Sequence, residues 1–204
     1  MLNRFLLSIL VVNQTIKIFM PDCTECGAYT KFNNGLCSDC YSKANGNPWV
    51  SGVIKGRIAE TIVEQLFISL GFQVYKYGME NTIPGISELL KGVRSDVSTN
   101  IRQMPDFVVF KDKDAHFIEV KFRKNGCLAL KDIEKYGDYP FENALFVLLS
   151  QKHIKCISYK ELKEGKEIHE KCRNWLGSRQ EFETDKDLII DYCKYAIKFF
   201  ENVE

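Results

Sequence analysis

Two hydrophobic periods alternate along the chain, and the changes between them mark its elements. Over residues 51–70, Ile54, Ile58, Ile62, Leu66 and Leu70 recur every four positions, which predicts a helix with one apolar stripe. Gly71 then supplies a left-handed stop. Residues 72–77 and 106–110 are rich in β-branched and aromatic side chains, as are 115–122, and all three read as strands. The polar loop 111–114 is short enough to make the last two a hairpin. Residues 144–149 form a continuous apolar run, the pattern of a central strand covered on both faces. A short strand is expected at 155–159, and helices at 160–176 and 185–202. The last presents Leu188, Ile189, Tyr192, Ala196, Phe199 and Phe200 on one face. The connection 78–103 is long and polar, with a short helix expected around 87–91, and connections of that length are often functional. Helix, strands, then helices predict an α/β/α or α+β sandwich.

Three polar groups interrupt the apolar strands. Asp106, after Pro105, opens one strand, and Glu119 and Lys121 lie in the next. Alternation puts Glu119 and Lys121 on one face and Ile118 and Val120 on the other. A carboxylate amid apolar neighbours needs a partner. A plain structural origin for each exists: Asp106 as a strand-initiating turn residue, and Glu119 in a salt bridge to Lys121 or Arg123 on an exposed sheet face. Two carboxylates within reach of each other instead require a cation between them, and hard oxygen donors suit magnesium or manganese. A lysine beside such a site can orient water or stabilise charge on a phosphate.

Pro105-Asp106, a spacer, then Glu119-Val120-Lys121 resembles the signature of the PD-(D/E)xK nuclease superfamily. Upstream, Gly56-Arg57-Ile58-Ala59-Glu60 resembles the Gly-x-x-x-Glu helix of its Holliday junction resolvase-like branch. The resemblance covers roughly residues 51–150. It implies a restriction endonuclease-like α/β/α core over 50–204 with C-terminal helices. It also implies that Glu60 joins Asp106 and Glu119 around Mg2+ or Mn2+, with Lys121 as the catalytic lysine. Glu64, one turn beyond Glu60 on the same helix face, competes for the helix position. Lys55 and Arg57 at the helix start, and Arg123 and Lys124 beyond the second strand, stand ready for a nucleic-acid backbone. The substrate implied is DNA, tilted towards branched or junction DNA, with RNA also open. Resolvases of this kind act as homodimers, so a homodimer is among the expected assemblies. The long 78–103 connection, with Lys91, Arg94 and Arg102, is a candidate specificity element.

Residues 20–45 carry separate chemistry. Cys23-x2-Cys26 and Cys37-x2-Cys40 each offer two thiolates from a tight turn, eased by Gly27 and Gly35. Four thiolates in this arrangement select structural zinc, with no position open for catalysis. Two disulfides, a redox pair or an iron–sulfur cluster are the alternatives. So small a module cannot hold a core alone, and the metal would supply its folding energy. Tyr29, Lys31, Phe32 and Tyr41 are either its contact groups or its own small core.

Composition narrows the partners only modestly. The 204 residues carry a net charge of +1, so no global basic field announces nucleic acid. Residues 41–131 carry an excess of four positive charges, and 132–204 an excess of three negative ones. Cys127, Cys156, Cys172 and Cys193 are scattered as small hydrophobes of a reducing compartment, which points to the cytoplasm. The apolar run 5–12 is too short to span a bilayer, and Met20 is a plausible translation start, leaving 1–19 as an uncertain extension. No membrane partner is expected. His116, His153 and His169 are isolated, and no phosphate-cradling Gly-x-x-x-x-Gly-Lys loop is present. The functional expectation is a Mg2+-dependent endodeoxyribonuclease. Its rivals are a catalytically inactive, zinc-containing nucleic-acid-binding protein with a nuclease-like fold, and a zinc-anchored interaction protein.

Overall fold

The computed structural model describes residues 22–30, 35–46, 48–79, 83, 85–135, 137–182 and 185–201. Lys31, Phe32 and the 1–19 extension lie outside them. The chain divides into two compact units, Met1–Ser51 and Gly52–Glu204. The first contains helix α1 (Ser38–Asn45), and helix α2 (Pro48–Ser69) begins in the first and continues into the second.

The second unit is built on a five-stranded sheet in the order β1 (Gln73–Lys76), β2 (Phe107–Lys111), β3 (Asp114–Phe122), β4 (Leu145–Leu149), β5 (Ile154–Ser158). Neighbours are antiparallel except β3 and β4, which are parallel. A parallel pair needs a crossover. Here it is the 123–144 connection, which contains the short helix α5 (Leu130–Ile133). The β2–β3 hairpin closes through Asp112 and Lys113, with Asp112 at φ 55°, a left-handed conformation that a short polar side chain tolerates. Among the described residues, the 78–103 connection holds the short helices α3 (Ile86–Leu89) and α4 (Asp96–Arg102).

The two sheet faces have different covers. On one, Ala59, Ile62, Val63, Leu66 and Phe67 of α2 pack with Phe107, Val109, Ile118, Val120 and Val147. Ile189, Ala196 and Phe200 of the C-terminal helix α7 (Lys186–Phe200) join them. The α2 stripe is wider than the one expected: Ile62, Leu66 and Leu70 are buried as predicted, Ile54 is half exposed, and Ala59, Val63 and Phe67 join the core. Mixed three- and four-residue steps follow the 3.6-residue turn more closely than a strict four-residue repeat. Gly71, at φ 85°, ends α2 as predicted, and the Phe72 N–H returns to the Phe67 carbonyl at 2.9 Å.

The opposite face is covered by short pieces. Leu128, Ile133 and Tyr139 from the crossover, Tyr159 and Leu162 of helix α6 (Tyr159–Lys163), and Ile168 enclose Phe146, Leu148 and Ile157. The helix expected over 160–176 is therefore not formed. It stops at Lys163, with Gly165 at φ 85° and the Lys166 N–H bonded to the Glu161 carbonyl at 3.0 Å. Beyond it, Ile168 pairs with Leu128 and Trp175 with Lys155 as isolated bridges, so the main chain bonds to other segments instead of coiling. A turn of 3-10 helix follows at Leu176–Ser178. The class is α/β, and among the described residues the long helices lie on one face. No helix among the described residues is long and apolar enough to cross a membrane.

Candidate functional site

Asp106 sits where three strands meet. Pro105 has no N–H and halts ladder pairing at Phe107, which is opposite Ile118. The Asp106 carbonyl accepts from the Tyr77 N–H at 2.9 Å, extending the β1 side. Its carboxylate turns to β3, where Oδ2 accepts from the Val120 N–H at 2.7 Å. The side chain thus satisfies a main-chain donor that the strand no longer serves. That register places Asp106 across from Glu119.

Glu119 and Lys121 share the β3 face opposite Ile118 and Val120, as alternation predicts. Lys121 Nζ donates to Glu119 Oε1. Asp106 is 7% exposed and Glu119 9%, while the Lys121 side chain keeps 29%. The ion pair foreseen between Glu119 and Lys121 therefore forms, but on a buried face and not an exposed one. Burial alone would lower the Lys121 pKa. Contact with the Glu119 carboxylate, with Asp106 behind it, outweighs burial and raises it. Lys121 accordingly stays an ammonium near neutral pH. The structure thus brings two buried carboxyl groups and one ammonium together on this face.

Glu60 comes from a helix and not from a strand. It lies on α2, whose core residues cover the other sheet face, and its Oε2 is 3.4 Å from Arg57 Nη1. Glu64 pairs with Lys76 across to β1 at 3.8 Å. Lys55 is half-buried on α2. Arg123 is also half-buried and donates from Nη1 to the Phe122 carbonyl at 3.1 Å. Lys124 is exposed at the rim of a cavity of about 320 Å³ that also takes in Lys152 and Lys155. In the 78–103 connection Arg102 is occupied with its own loop. Its guanidinium donates to the Leu90 and Val93 carbonyls and to Ser98 Oγ.

The cysteine module has the geometry the spacing requires. The ligand atoms of Cys23, Cys26, Cys37 and Cys40 all lie within 4.8 Å of one another, and every cysteine is a free thiol. Cys26 Sγ and Cys37 Sγ are 3.6 Å apart. A disulfide needs about 2.05 Å, whereas sulfurs at about 2.3 Å from a tetrahedral zinc stand roughly 3.8 Å from one another. Two turns make the arrangement: Gly27 N–H returns to the Cys23 carbonyl at 2.8 Å, and Cys37 caps α1 with its sulfur 3.4 Å from the Cys40 N–H. The Cys37 N–H aimed at the Cys23 sulfur is the main cause of a Cys23 pKa lowered to about 6, against the effect of burial. The neighbouring Cys26 and Cys37 thiols push Cys40 up to about 12. Crowded sulfurs that hold protons against one another release them to a metal. The four cysteines could hold a zinc ion, and they are the one convergent group of three or more ligands among the described residues.

Sequence reasoning missed Tyr139. It carries no motif, and only tertiary packing sets its ring 5.2 Å from that of Phe146, the β4 register partner of Glu119. Lys155, unremarkable in a strand pattern, is also buried. Its Nζ donates to the His169 and Glu170 carbonyls at 2.8 and 3.0 Å and lies 4.8 Å from the centre of the Trp175 ring. No protein-family model matches this chain, and no curated protein matches it.

Proposed function

We propose that the protein is a metal-dependent endonuclease that hydrolyses phosphodiester bonds in DNA, with an N-terminal zinc module. The observation that carries the reading is a pair of buried carboxyl groups, Asp106 just before β2 and Glu119 on β3, with the Lys121 ammonium bonded to Glu119. A folded chain has little structural reason to bury two acids against one base, because desolvating charges costs more than their attraction returns unless geometry and function demand it. Asp106 and Glu119 would hold Mg2+ or Mn2+, and Glu60 would be a further ligand from α2. Such an ion polarises a phosphoryl oxygen and lowers the pKa of bound water. Lys121, kept protonated by its neighbours, stabilises negative charge developing on the phosphate and does not act as a base. The zinc ion would be structural, supplying folding energy to the 22–46 segment. Lys55, Arg57, Arg123 and Lys124 would contact the nucleic-acid backbone, with branched DNA the favoured substrate.

The test is a panel of labelled duplexes, four-way junctions, flaps, single strands and RNA with Mg2+ or Mn2+. Cleavage by wild type that survives intact in Asp106→Ala or Glu119→Ala would discard the assignment. The direct Glu119–Lys121 ion pair favours one second reading, a non-cleaving zinc protein that binds nucleic acid. In that protein Lys121 alone neutralises Glu119, and titration with Mg2+ would give no binding signal.

A further inference from the structure

Tyr139 lies in the crossover between α5 and β4, and its ring is fixed from several sides. Its centroid is 5.2 Å from that of Phe146, 5.3 Å from Tyr159 and 5.8 Å from Phe141. Its main-chain N–H donates to Tyr159 Oη at 3.1 Å, and that hydroxyl donates onward to Glu134 Oε1 at 2.5 Å. The residue is 5% exposed, and its own phenol oxygen is buried with no hydrogen-bond partner among the described residues. A buried hydroxyl left unpaired is costly, and phenylalanine would pack the same ring without it.

The position of the ring gives the orphan a purpose. Phe146 is the β4 register partner of Glu119, so a ring packed on Phe146 lies over the Glu119 face of the sheet. Burial first, then the Glu119 and Asp106 carboxylates, raise the phenol pKa, so its proton stays in place. The carboxylates can only accept hydrogen bonds, and Lys121 is engaged with Glu119. A neutral O–H adds a donor without adding a positive charge that would repel a cation.

We propose that Tyr139 is a hydrogen-bond donor of the acid site, its phenol O–H serving an oxygen atom held beside Asp106 and Glu119. The oxygen belongs either to water on a divalent cation or to a phosphate. The inference rests on reading the two carboxylates as a divalent-cation site.

The experiment compares wild type with Tyr139→Phe in the full, zinc-loaded chain. Mn2+ affinity is measured by calorimetry, with Asp106→Asn as the blank, alongside single-turnover cleavage, affinity for uncleaved DNA in Ca2+, and thermal melting. The variant should melt at the wild-type temperature or above it, because the ring packing is kept and an unpaired hydroxyl is removed. If the oxygen is water on the ion, Mn2+ binding weakens about 10-fold. If it is a phosphate oxygen, Mn2+ affinity holds while cleavage falls about 10- to 100-fold with DNA affinity unchanged. Wild-type values for both Mn2+ binding and cleavage in the variant would overturn the assignment of Tyr139 alone, and so would a lower melting temperature, which would mark the hydroxyl as an internal bond. Where wild type binds Mn2+ without cutting, Mn2+ affinity decides by itself. A wild type that neither binds Mn2+ nor cuts removes the nuclease reading, and the Tyr139 assignment falls with it.

Discussion

Replacing Lys121 with methionine keeps the aliphatic stem and removes the ammonium, leaving Asp106 and Glu119 as buried carboxylates without it. Breaking a fully buried ion pair by removing one partner costs about 3–5 kcal/mol. The Lys121 side chain keeps 29% of its exposure, and solvent screening trims the loss to roughly 2–3 kcal/mol. For a domain of this size each kcal/mol moves the melting temperature by about 2–4 °C, so Lys121→Met should melt roughly 4–12 °C lower at pH 7. The two proteins should also differ in pH dependence. In wild type the folded-state pKa of Lys121 is raised above its ordinary 10.5. Its contribution is therefore complete below pH 10.5 and lost as pH rises through the folded value. In the variant, like-charge repulsion raises a carboxylate pKa instead, so the deficit shrinks as acidification protonates it. Adding Glu119→Gln should recover most of the loss, a coupling of at least about 1 kcal/mol in a double-mutant cycle. A divalent cation should also restore stability in the variant, by about 2.7 kcal/mol at a hundredfold excess over Kd. The assay is thermal and urea unfolding from pH 5 to 10, with and without Mg2+. A Lys121→Met protein as stable as wild type at pH 7, or a cycle with no coupling, would refute the account of Lys121 as the counterion of the buried acids.

Other perturbations test separate parts of the molecule. Asp106→Asn keeps an oxygen for the Val120 N–H, so it should fold within about 1–2 kcal/mol of wild type and yet lose Mg2+-dependent cleavage at least about 100-fold. Calorimetry and the cleavage panel measure the two effects separately. Stripping zinc with a chelator, or Cys26→Ser, should unfold the 22–46 segment, seen as loss of amide protection there, and metal analysis of wild type should give one zinc per chain. Lys155→Met takes the Nζ donor from the Glu170 carbonyl and leaves the His169 carbonyl only the Cys172 N–H, and should cost roughly 2–4 kcal/mol and raise hydrogen exchange across 168–176.

What the sequence by itself determined was whatever depends on local period and spacing. The helical span of α2, the glycine stop after it, the β2–β3 hairpin and the face shared by Glu119 and Lys121 follow from neighbours a few residues apart. So does the four-cysteine cluster, because two Cys-x-x-Cys turns joined by ten residues have few ways to converge. Tertiary structure decided the rest. Residues 160–176 look helical, but Gly165 and the bridges to Leu128 and Lys155 draw their main chain away. Local propensity carries no record of a partner forty residues upstream. Strand order and register set Asp106 beside Glu119, and the crossover fold, not any motif, brought Tyr139 over their face. Burial turned a polar pattern on two strands into a charged site: a sequence shows which groups can ionise, while only packing excludes the water that would otherwise screen them.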